Sequence, residues 1–424
     1  MSIDSLIKSR IAAHITSEAR VKRQRHSAER KRAKDMKPHV VGYFHDVSDP
    51  YSHLTAQVLR RLQARYEIKL QPYLISGPPD WAAPARASLE AYSHLDAGRL
   101  ARRLGLDFPT TGYMPNAESF ERAQAILARA LRSSGFAETA VGTGAALWRE
   151  PPPDVKIKFD PREALAQGDA ELARLGYYLG GSFHYGGEWY WGIDRLHHLE
   201  ARLQELGLSR LKAPDALIFT PSAETEAASA GSSKVVEAFI SFRSPYSYLA
   251  FDRARRRVEA QGAEFRVRPV LPMVMRGLPV PKTKRLYILH DAAREARRLN
   301  IPFGRICDPL GPAVERGYAL IEFARQAGRL ADYTSSFMQG VWAEGIDAKT
   351  EKGLAKIVSR VGLDWDDAKT HLHGDDWRAE VEENQQVLDA LGLWGVPSFA
   401  MEEQAFWGQD RLWLLDDLLA ERKL

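Results

Sequence analysis

The chain has 424 residues, which is too many for one ordinary hydrophobic core and enough for two domains. Hydrophobic residues make up 45% of it and charged residues 27%, and no apolar run reaches the roughly 18 residues that a membrane span needs. The net charge is +4, and the single cysteine, Cys307, excludes both an intramolecular disulfide and a Cys-x-x-Cys redox pair.

Residues 1–37 are predicted to form a basic helical extension. Between Arg20 and Lys37 the sequence has nine lysines or arginines and only two acids, Glu29 and Asp35. A solvated extension or an arm that packs on the body of the protein is the favoured interpretation, and a contact with nucleic acid or a membrane surface is less favoured. The N-terminus has no secretory signal pattern, so a cytoplasmic location is expected.

Two later segments begin alike, which indicates an internal repeat. The apolar run Val40–Phe44 is followed by Asp49–Leu54, and the apolar run Val235–Ile240 is followed by Ser244–Leu249. The two turns lie 195 positions apart, and the same shift relates further matches downstream. A period of this length predicts a duplication of whole domains rather than a solenoid.

The two copies also end alike, at Trp191–Leu196 and at Trp407–Leu412, now 216 positions apart. The second copy therefore has about 21 more residues in its middle. We predict a first domain over 38–210 and a second over 234–424. The linker between them is predicted over 211–233, where the sequence becomes small and polar.

The second copy has a clear order of predicted elements. A strand over 235–241 precedes a helix over 245–261, and a second strand follows at 265–270. Amphipathic helices then occupy roughly 284–390. A short strand after Gly395, a hairpin partner near Phe406 and a final helix from about 410 complete the copy. This order predicts an α/β, thioredoxin-like fold with an inserted helical subdomain, present twice in tandem.

Three motifs in the second copy, Phe242–Leu249, Gly395–Phe399 and Phe406–Leu412, together resemble the 2-hydroxychromene-2-carboxylate isomerase family. The kappa-class glutathione transferases are its near relatives in the DsbA-like branch of the thioredoxin superfamily. The resemblance implies that Ser244 replaces the first cysteine of the DsbA redox pair and that glutathione, as cofactor, supplies the sulfur. It assigns the cofactor contacts to Pro245, Tyr246, Lys282, Lys284, Val396, Pro397, Gln409 and Asp410.

Ser244 lies where the first strand of the second copy gives way to a helix. Unpaired amides and the positive end of the helix dipole lower the pKa of a thiol placed there, and a serine hydroxyl can donate a hydrogen bond to a thiolate. The alternative is that Ser244 is only an N-cap followed by Pro245 at the first helical position.

The Val396-Pro397 pair resembles the cis-proline loop of thioredoxin folds, in which the preceding residue pairs with the cysteine of bound glutathione as an added strand would. Gln409 and Asp410, near the start of the last helix, would hold its γ-glutamyl end. An ordinary trans turn and a simple helix cap are the respective alternatives.

Lys282 and Lys284 are expected on a loop before a helix that starts near Tyr287. A lysine there suits the glycyl carboxylate of glutathione, and a solvated basic loop is the alternative. Cys307 is interpreted as a structural thiol. The histidines show no spacing that would specify a metal, and none is expected.

The first copy departs from this pattern at most of the matching positions. Its residues at the positions of Ser244, the two lysines, Pro397 and Gln409 are Asp49, Ala87, Leu89, Gly181 and Ile193, and only Asp194 is retained. A thiolate facing a carboxylate would be destabilised. The first copy is therefore interpreted as a structural support, with an aromatic C-terminal end, Tyr177–Trp191, that serves as core or interface.

Two hypotheses follow for function. The first is a glutathione-dependent isomerase or transferase that acts on a small conjugated or aromatic electrophile through covalent catalysis with a borrowed nucleophile. The second is a non-catalytic DsbA-like binding or scaffold protein that uses the aromatic first copy or the basic N-terminal helix. Nucleic acid and membranes are not expected partners, and the two copies would mimic within one chain the dimer that relatives form.

Overall fold

The computed structural model describes residues 3–109, 112–149, 159–211, 216–221 and 234–420. These residues form two compact units, one holding the described parts of 1–21 and 224–424 and the other those of 22–223. Most of the predicted linker, 212–215 and 222–233, lies outside the described residues. Within the described part of the chain, every helix falls short of the length and apolar character that a bilayer span requires.

The predicted N-terminal extension contains two helices, α1 (Ile3–Thr16) and α2 (Glu18–Lys34). Helix α1 packs on the C-terminal unit, where the Ser5 hydroxyl donates to Asp347 at 2.6 Å. Helix α2 has no buried residue. The α1 part of the extension is thus an arm with packed contacts, whereas α2 has a solvated surface.

The N-terminal unit is built on a four-stranded sheet in the order β2-β1-β3-β4. Strands β1 and β2 are parallel, and β3 runs antiparallel to both β1 and β4. The strands are β1 (Val40–Asp46), β2 (Lys69–Ile75), β3 (Ser182–Tyr185) and β4 (Glu188–Trp191). The helices are α3 (Pro50–Ala56), α4 (Leu59–Arg65), α5 (Arg86–Leu104), α6 (Ala117–Ala130), α7 (Phe136–Arg149), α8 (Arg162–Arg174) and α9 (Leu196–Glu205).

Part of the predicted linker packs on this unit. Ile218 is buried, and its amide donates to the Glu200 carboxylate at 2.9 and 3.1 Å. The Arg61 guanidinium lies 5.3 Å from the centre of the Phe219 ring. The packed chain of the first copy therefore extends beyond the predicted boundary at residue 210.

The C-terminal unit repeats the same sheet, in the order β6-β5-β7-β8 with the same strand directions. The strands are β5 (Val235–Ile240), β6 (Glu264–Pro269), β7 (Ser398–Met401) and β8 (Gln404–Trp407). The helices are α10 (Pro245–Ala260), α11 (Lys282–Arg298), α12 (Pro312–Ala319), α13 (Ile321–Gln326), α14 (Leu330–Gln339), α15 (Glu351–Ser359), α16 (Trp365–Thr370), α17 (Trp377–Ala390) and α18 (Leu414–Leu419). The predicted α/β, thioredoxin-like class with a helical insert is confirmed.

Sheet register in the two units follows the shifts read from the sequence. Tyr43 pairs with Phe183 in the first sheet, and Ala238 pairs with Phe399 in the second. These partners lie 195 and 216 positions apart, as the motifs do. The two units therefore agree residue by residue in their central strands, which is consistent with a tandem duplication.

A buried polar contact repeats with the same geometry. The Tyr51 hydroxyl donates to Asp96 at 2.7 Å, and the Tyr246 hydroxyl donates to Asp291 at 2.8 Å. In each unit the tyrosine is on the helix after the first strand and the aspartate is on the next long helix. The contact ties these two helices together in both copies.

One predicted boundary was wrong. Helix α11 begins at Lys282, five residues before the expected start near Tyr287, so Lys282 and Lys284 lie in its first turn. Pro281 supplies the extended residue before the helix, with φ −64° and ψ 165°. Since lysine, threonine and arginine all tolerate a helix, nothing in the residues after Pro281 delays its start.

The helical insert supports the turn between β5 and α10. The Phe242 ring stacks on Phe337 with centroids 4.1 Å apart. The Trp342 indole N–H donates to the Phe242 carbonyl at 3.0 Å, from a π-helical turn that spans Gly340–Glu344. A residue two positions before Ser244 is thereby fixed from behind.

Substituting Gly317 with alanine should destabilise the C-terminal unit by about 1–3 kcal/mol. A Cβ at Gly317 would lie 2.5 Å from the Phe337 ring, and this overlap outweighs the ~1 kcal/mol gain in helix propensity. Chemical denaturation would measure the change. The control is Gly142→Ala on α7, where no atom lies within 4 Å and slight stabilisation is expected. Stabilisation by both substitutions would contradict the packing described here.

Candidate functional site

Ser244 caps the 16-residue helix α10, and Pro245 occupies its first turn. Its backbone is extended, with φ −97° and ψ 114°, and its hydroxyl oxygen accepts from the Ser247 amide at 3.1 Å. The Ser244 side chain is half-buried. This hydroxyl therefore lies at a helix N-terminus, where the backbone favours a negative charge.

The peptide bond between Val396 and Pro397 is cis, as the motif predicts. The Ser244 hydroxyl donates to the Val396 carbonyl at 3.4 Å, a long bond that joins the helix N-terminus to this loop. Among the residues that the structure describes, the Val396 amide N–H has no hydrogen-bond acceptor. The loop thus presents an unused backbone donor beside Ser244.

Beyond the cis bond, the loop is held by backbone contacts that both copies share. The Gly408 amide donates to the Pro397 carbonyl at 2.9 Å, and the Gly192 amide donates to the Gly181 carbonyl at the same distance. Gly181 has a φ of +62°, which disfavours any side chain there. The first copy therefore keeps this backbone hydrogen bond, but the backbone conformation of Gly181 is one that a proline cannot adopt.

Tyr246 is half-buried and donates to Asp291, whose other carboxylate oxygen accepts from Arg294 at 2.6 Å. The Tyr246 ring is therefore fixed between α10 and α11. Pro245 is buried in the first turn. Both predicted residues shape the helix terminus on which Ser244 lies.

The two predicted lysines differ in their surroundings. Lys282 is exposed, whereas Lys284 is half-buried. Burial lowers the pKa of the Lys284 ammonium below its usual value. In the described part of the chain, no acid pairs with Lys284. A partly desolvated cation without an acidic partner is suited to an anionic ligand.

Gln409 lies in a 3-10 turn that spans Gln409–Arg411, and its side chain faces the interior. Only 2% of the residue is exposed, and both of its amide atoms are already paired. Asp410 is half-buried beside it, and the Gln409 amide donates to the Asp410 carboxylate. This placement favours Asp410 over Gln409 as the residue that meets a ligand.

Three residues near the site were not predicted from the sequence. Arg276 donates to the Trp394 carbonyl at 2.9 Å and so holds the loop before the cis bond, and burial lowers its pKa. Arg253 and Glu295 are the partners of Gln409. A comparison of the two copies could have pointed to Arg253 and Glu295, because the first copy has apolar residues at the matching positions.

In the first copy Asp49 caps α3 and accepts from the Tyr51 amide at 3.1 Å and the Ser52 amide at 3.0 Å. Burial, with a further contribution from the charge of Asp46, raises the Asp49 pKa to about 7. Burial likewise raises the Asp46 pKa to about 6. The Asp49 carboxyl group thus accepts hydrogen bonds from two backbone amides, whereas the Ser244 hydroxyl of the second copy accepts from one.

The aromatic end of the first copy is mainly core. Tyr177, Tyr178, Tyr185 and Tyr190 are buried, and the Tyr177 ring stacks on Trp189 with centroids 4.4 Å apart. These contacts support the interpretation of this end as packing.

The surroundings of Cys307 disfavour its thiolate. Burial, with a smaller contribution from Asp347, raises the pKa of its thiol to about 11. Its own amide donates to the Val341 carbonyl at 2.8 Å. A raised thiol pKa disfavours Cys307 as the source of a reactive thiolate.

Comparison with known proteins gives matches to the second copy. The family model of the DSBA-like thioredoxin domain matches residues 235–420. The 2-hydroxychromene-2-carboxylate isomerase of Sphingobium xenophagum is 24% identical over 198 residues, covering 44% of this chain and 99% of the relative. The enzyme of the same name from Pseudomonas putida is 23% identical over 193 residues, covering 44% and 94%. A solved 2-hydroxychromene-2-carboxylate isomerase structure matches with a TM-score of 0.39 and 22% identity, covering 44% of this chain and 95% of that one.

Asp49→Ser should stabilise the N-terminal unit by about 2–3 kcal/mol more at pH 8 than at pH 5. The Asp49 pKa rises from 3.8 to about 7 on folding, so ionisation opposes folding as pH rises through this range and does so fully above pH 7. Denaturation at the two pH values would measure the difference, and serine keeps a capping oxygen.

The exposed Asp80→Ser provides the control and should show no such pH dependence. An equal effect of Asp49→Ser at both pH values would mean that Asp49 folds with its ordinary pKa.

Proposed function

Because residues 235–420 form a DSBA-like thioredoxin domain and its curated relatives are isomerases, we propose that the second copy is a glutathione-dependent isomerase or transferase. Its substrate would be a small conjugated electrophile. The observation that carries the proposal is the half-buried Ser244 hydroxyl at the N-terminus of α10, in a chain whose only cysteine is Cys307.

Bound glutathione would supply a thiolate that adds to a conjugated alkene, allows rotation about the former double bond and then leaves, so that none is consumed in an isomerisation. The chain's own contribution is to hold that sulfur as an anion. It must also orient the tripeptide and keep the electrophile close to it.

Ser244 supports the first of these roles. Its hydroxyl hydrogen is directed to the Val396 carbonyl over a long 3.4 Å, so little is lost when it turns to a nearby thiolate. The helix N-terminus adds its partial positive charge at the same point. Both effects lower the pKa of a thiol bound there.

The backbone beside Pro397 supports the second role. The unpaired Val396 amide and its carbonyl can pair with an extended peptide, in the way that an added strand pairs with a sheet edge. Main-chain pairing would fix the cysteine of glutathione with its sulfur toward Ser244. Such pairing is independent of side-chain identity, so the geometry of this loop matters more than the valine itself.

Charged groups at the two ends would fix the orientation of the peptide. Lys284 is partly desolvated and has no acidic partner in the described residues, which suits the glycyl carboxylate. Asp410, in the 3-10 turn that spans Gln409–Arg411, offers a carboxylate, which suits the γ-glutamyl ammonium. The first copy lacks the serine and both lysines, so we assign glutathione to the second copy only.

Isomerase and transferase differ in the fate of glutathione and not in the residues that activate it. With an electrophile in turnover, constant free thiol would indicate isomerisation, and its stoichiometric loss would indicate conjugation.

Replacing Ser244 with alanine should raise the pKa of the bound glutathione thiol by about 1, because one charge-assisted hydrogen bond is lost. Calorimetry would measure binding, and the ultraviolet absorbance of the thiolate as a function of pH would measure the pKa. Asp49→Ser, at the matching position of the first copy, should change neither. Absence of any binding heat from the wild-type protein at millimolar glutathione would sink the proposed function.

Lys284→Gln should weaken glutathione binding about tenfold, whereas Lys282→Gln should change it less than about twofold. Lys284 is the more buried of the two, so its charge is less screened. Titration with γ-glutamylcysteine, which lacks the glycyl carboxylate, is the matched ligand control and should not distinguish Lys284→Gln from wild type. A larger effect at Lys282 would reverse the assignment.

A further inference from the structure

A buried polar network joins three elements of the candidate site. The Gln409 carbonyl oxygen accepts from Arg253 on α10 at 2.9 Å. The Gln409 amide nitrogen donates to Glu295 on α11 at 3.1 Å. Glu295, which is 1% exposed, also accepts from Arg298 at 2.8 Å. The 3-10 turn is therefore tied to both helices through a single side chain.

The first copy has apolar residues at all three matching positions. Val58 matches Arg253 and Leu100 matches Glu295 at the shift of 195, and Ile193 matches Gln409 at the shift of 216. Val58, Leu100 and Ile193 are 0%, 4% and 5% exposed and belong to one buried cluster. The same fold position is thus filled by packing alone in one copy and by ions and an amide in the other.

A gain in stability is a weak reason for the polar version. Taking charges out of water is costly, and apolar residues of similar volume in place of a buried ionic network are often neutral or stabilising. The first copy shows that this fold accommodates the apolar solution. The polar network also fixes the orientation of the 3-10 turn, because hydrogen bonds are directional and packed methyl groups are not.

The elements that the network joins are those that carry the candidate site. Helix α10 begins beside Ser244, helix α11 carries Lys284 in its first turn, and the turn carries Asp410. Gln409 also donates to the Asp410 carboxylate itself. The network therefore reaches the group assigned to the γ-glutamyl ammonium.

We propose that Arg253, Glu295 and Gln409 are positioning residues that fix the Asp410 carboxylate for the α-amino end of glutathione. The proposal rests on the proposed function of the second copy. Gln409 acts from the interior and does not meet the ligand. The second copy has this network beside its proposed glutathione site, and the first copy, to which we assign no glutathione, has apolar packing instead.

The test gives the second copy the residues of the first, in the full-length variant Arg253→Val, Glu295→Leu, Gln409→Ile. Calorimetry would compare it with wild type for three ligands: glutathione, γ-glutamylcysteine and cysteinylglycine. We expect at least a tenfold loss of affinity for the first two, and no change for cysteinylglycine, which lacks the γ-glutamyl end. A role in folding alone would not produce this selectivity.

Two further variants complete the design. Gln409→Met keeps the volume and removes only the hydrogen bonds, so it should show the same selectivity even if the triple variant folds poorly. Arg255→Val removes an arginine of α10 that pairs with Glu259 and Asp332, and it should leave all three affinities unchanged.

Equal losses for all three ligands, or no loss, in a folded variant would overturn the positioning role while leaving the proposed function intact. If the wild-type protein bound none of the three ligands, the proposed function would fail and the positioning role with it.

Discussion

The N-terminus of α10 is the point on which the candidate site depends. Ser244 caps the N-terminus of the helix. Two residues earlier, the Phe242 carbonyl accepts a hydrogen bond from the Trp342 indole of the helical insert. The cis-proline loop meets the same point through the Val396 carbonyl. The helix terminus and a loop far along the chain thus meet at the Ser244 hydroxyl, the insert supports the turn that leads to it, and the helix dipole gives that place its preference for an anion.

Two copies of one scaffold show which features belong to the fold and which belong to the site. The tyrosine–aspartate hydrogen bond between the helix after the first strand and the next long helix, Tyr51 to Asp96 and Tyr246 to Asp291, is present in both with nearly the same length. The capping residue is not shared, because Asp49 brings a carboxylate to the place of a neutral hydroxyl. The copies thus hold their helices alike and differ at the group that would face a thiolate.

The sequence predicted the duplication, the order of strands and helices along the second copy and the cis-proline loop correctly, because each depends on local chemistry or on a period that can be counted. It misplaced the start of α11, since the residues around Lys282 fit either a loop or a helix. It did not foresee the pairing of Gln409 with Arg253 and Glu295, and the contact of Gln409 with glutathione stays a prediction. The comparisons leave the individual contacts with glutathione as predictions.

The sequence by itself determined where helix α10 begins and where the chain turns before β7. Ser244-Pro245 and Val396-Pro397 restrict the backbone at their own positions. Only the tertiary structure decided how far the charged side chains of the two copies are exposed to solvent and how burial shifts their pKa values. Lys284 is partly desolvated and Lys282 is not, and burial raises the pKa of Asp49. The reason is that burial and hydrogen bonding depend on contacts between elements that are distant in sequence. A local sequence pattern therefore does not show which side chains become buried.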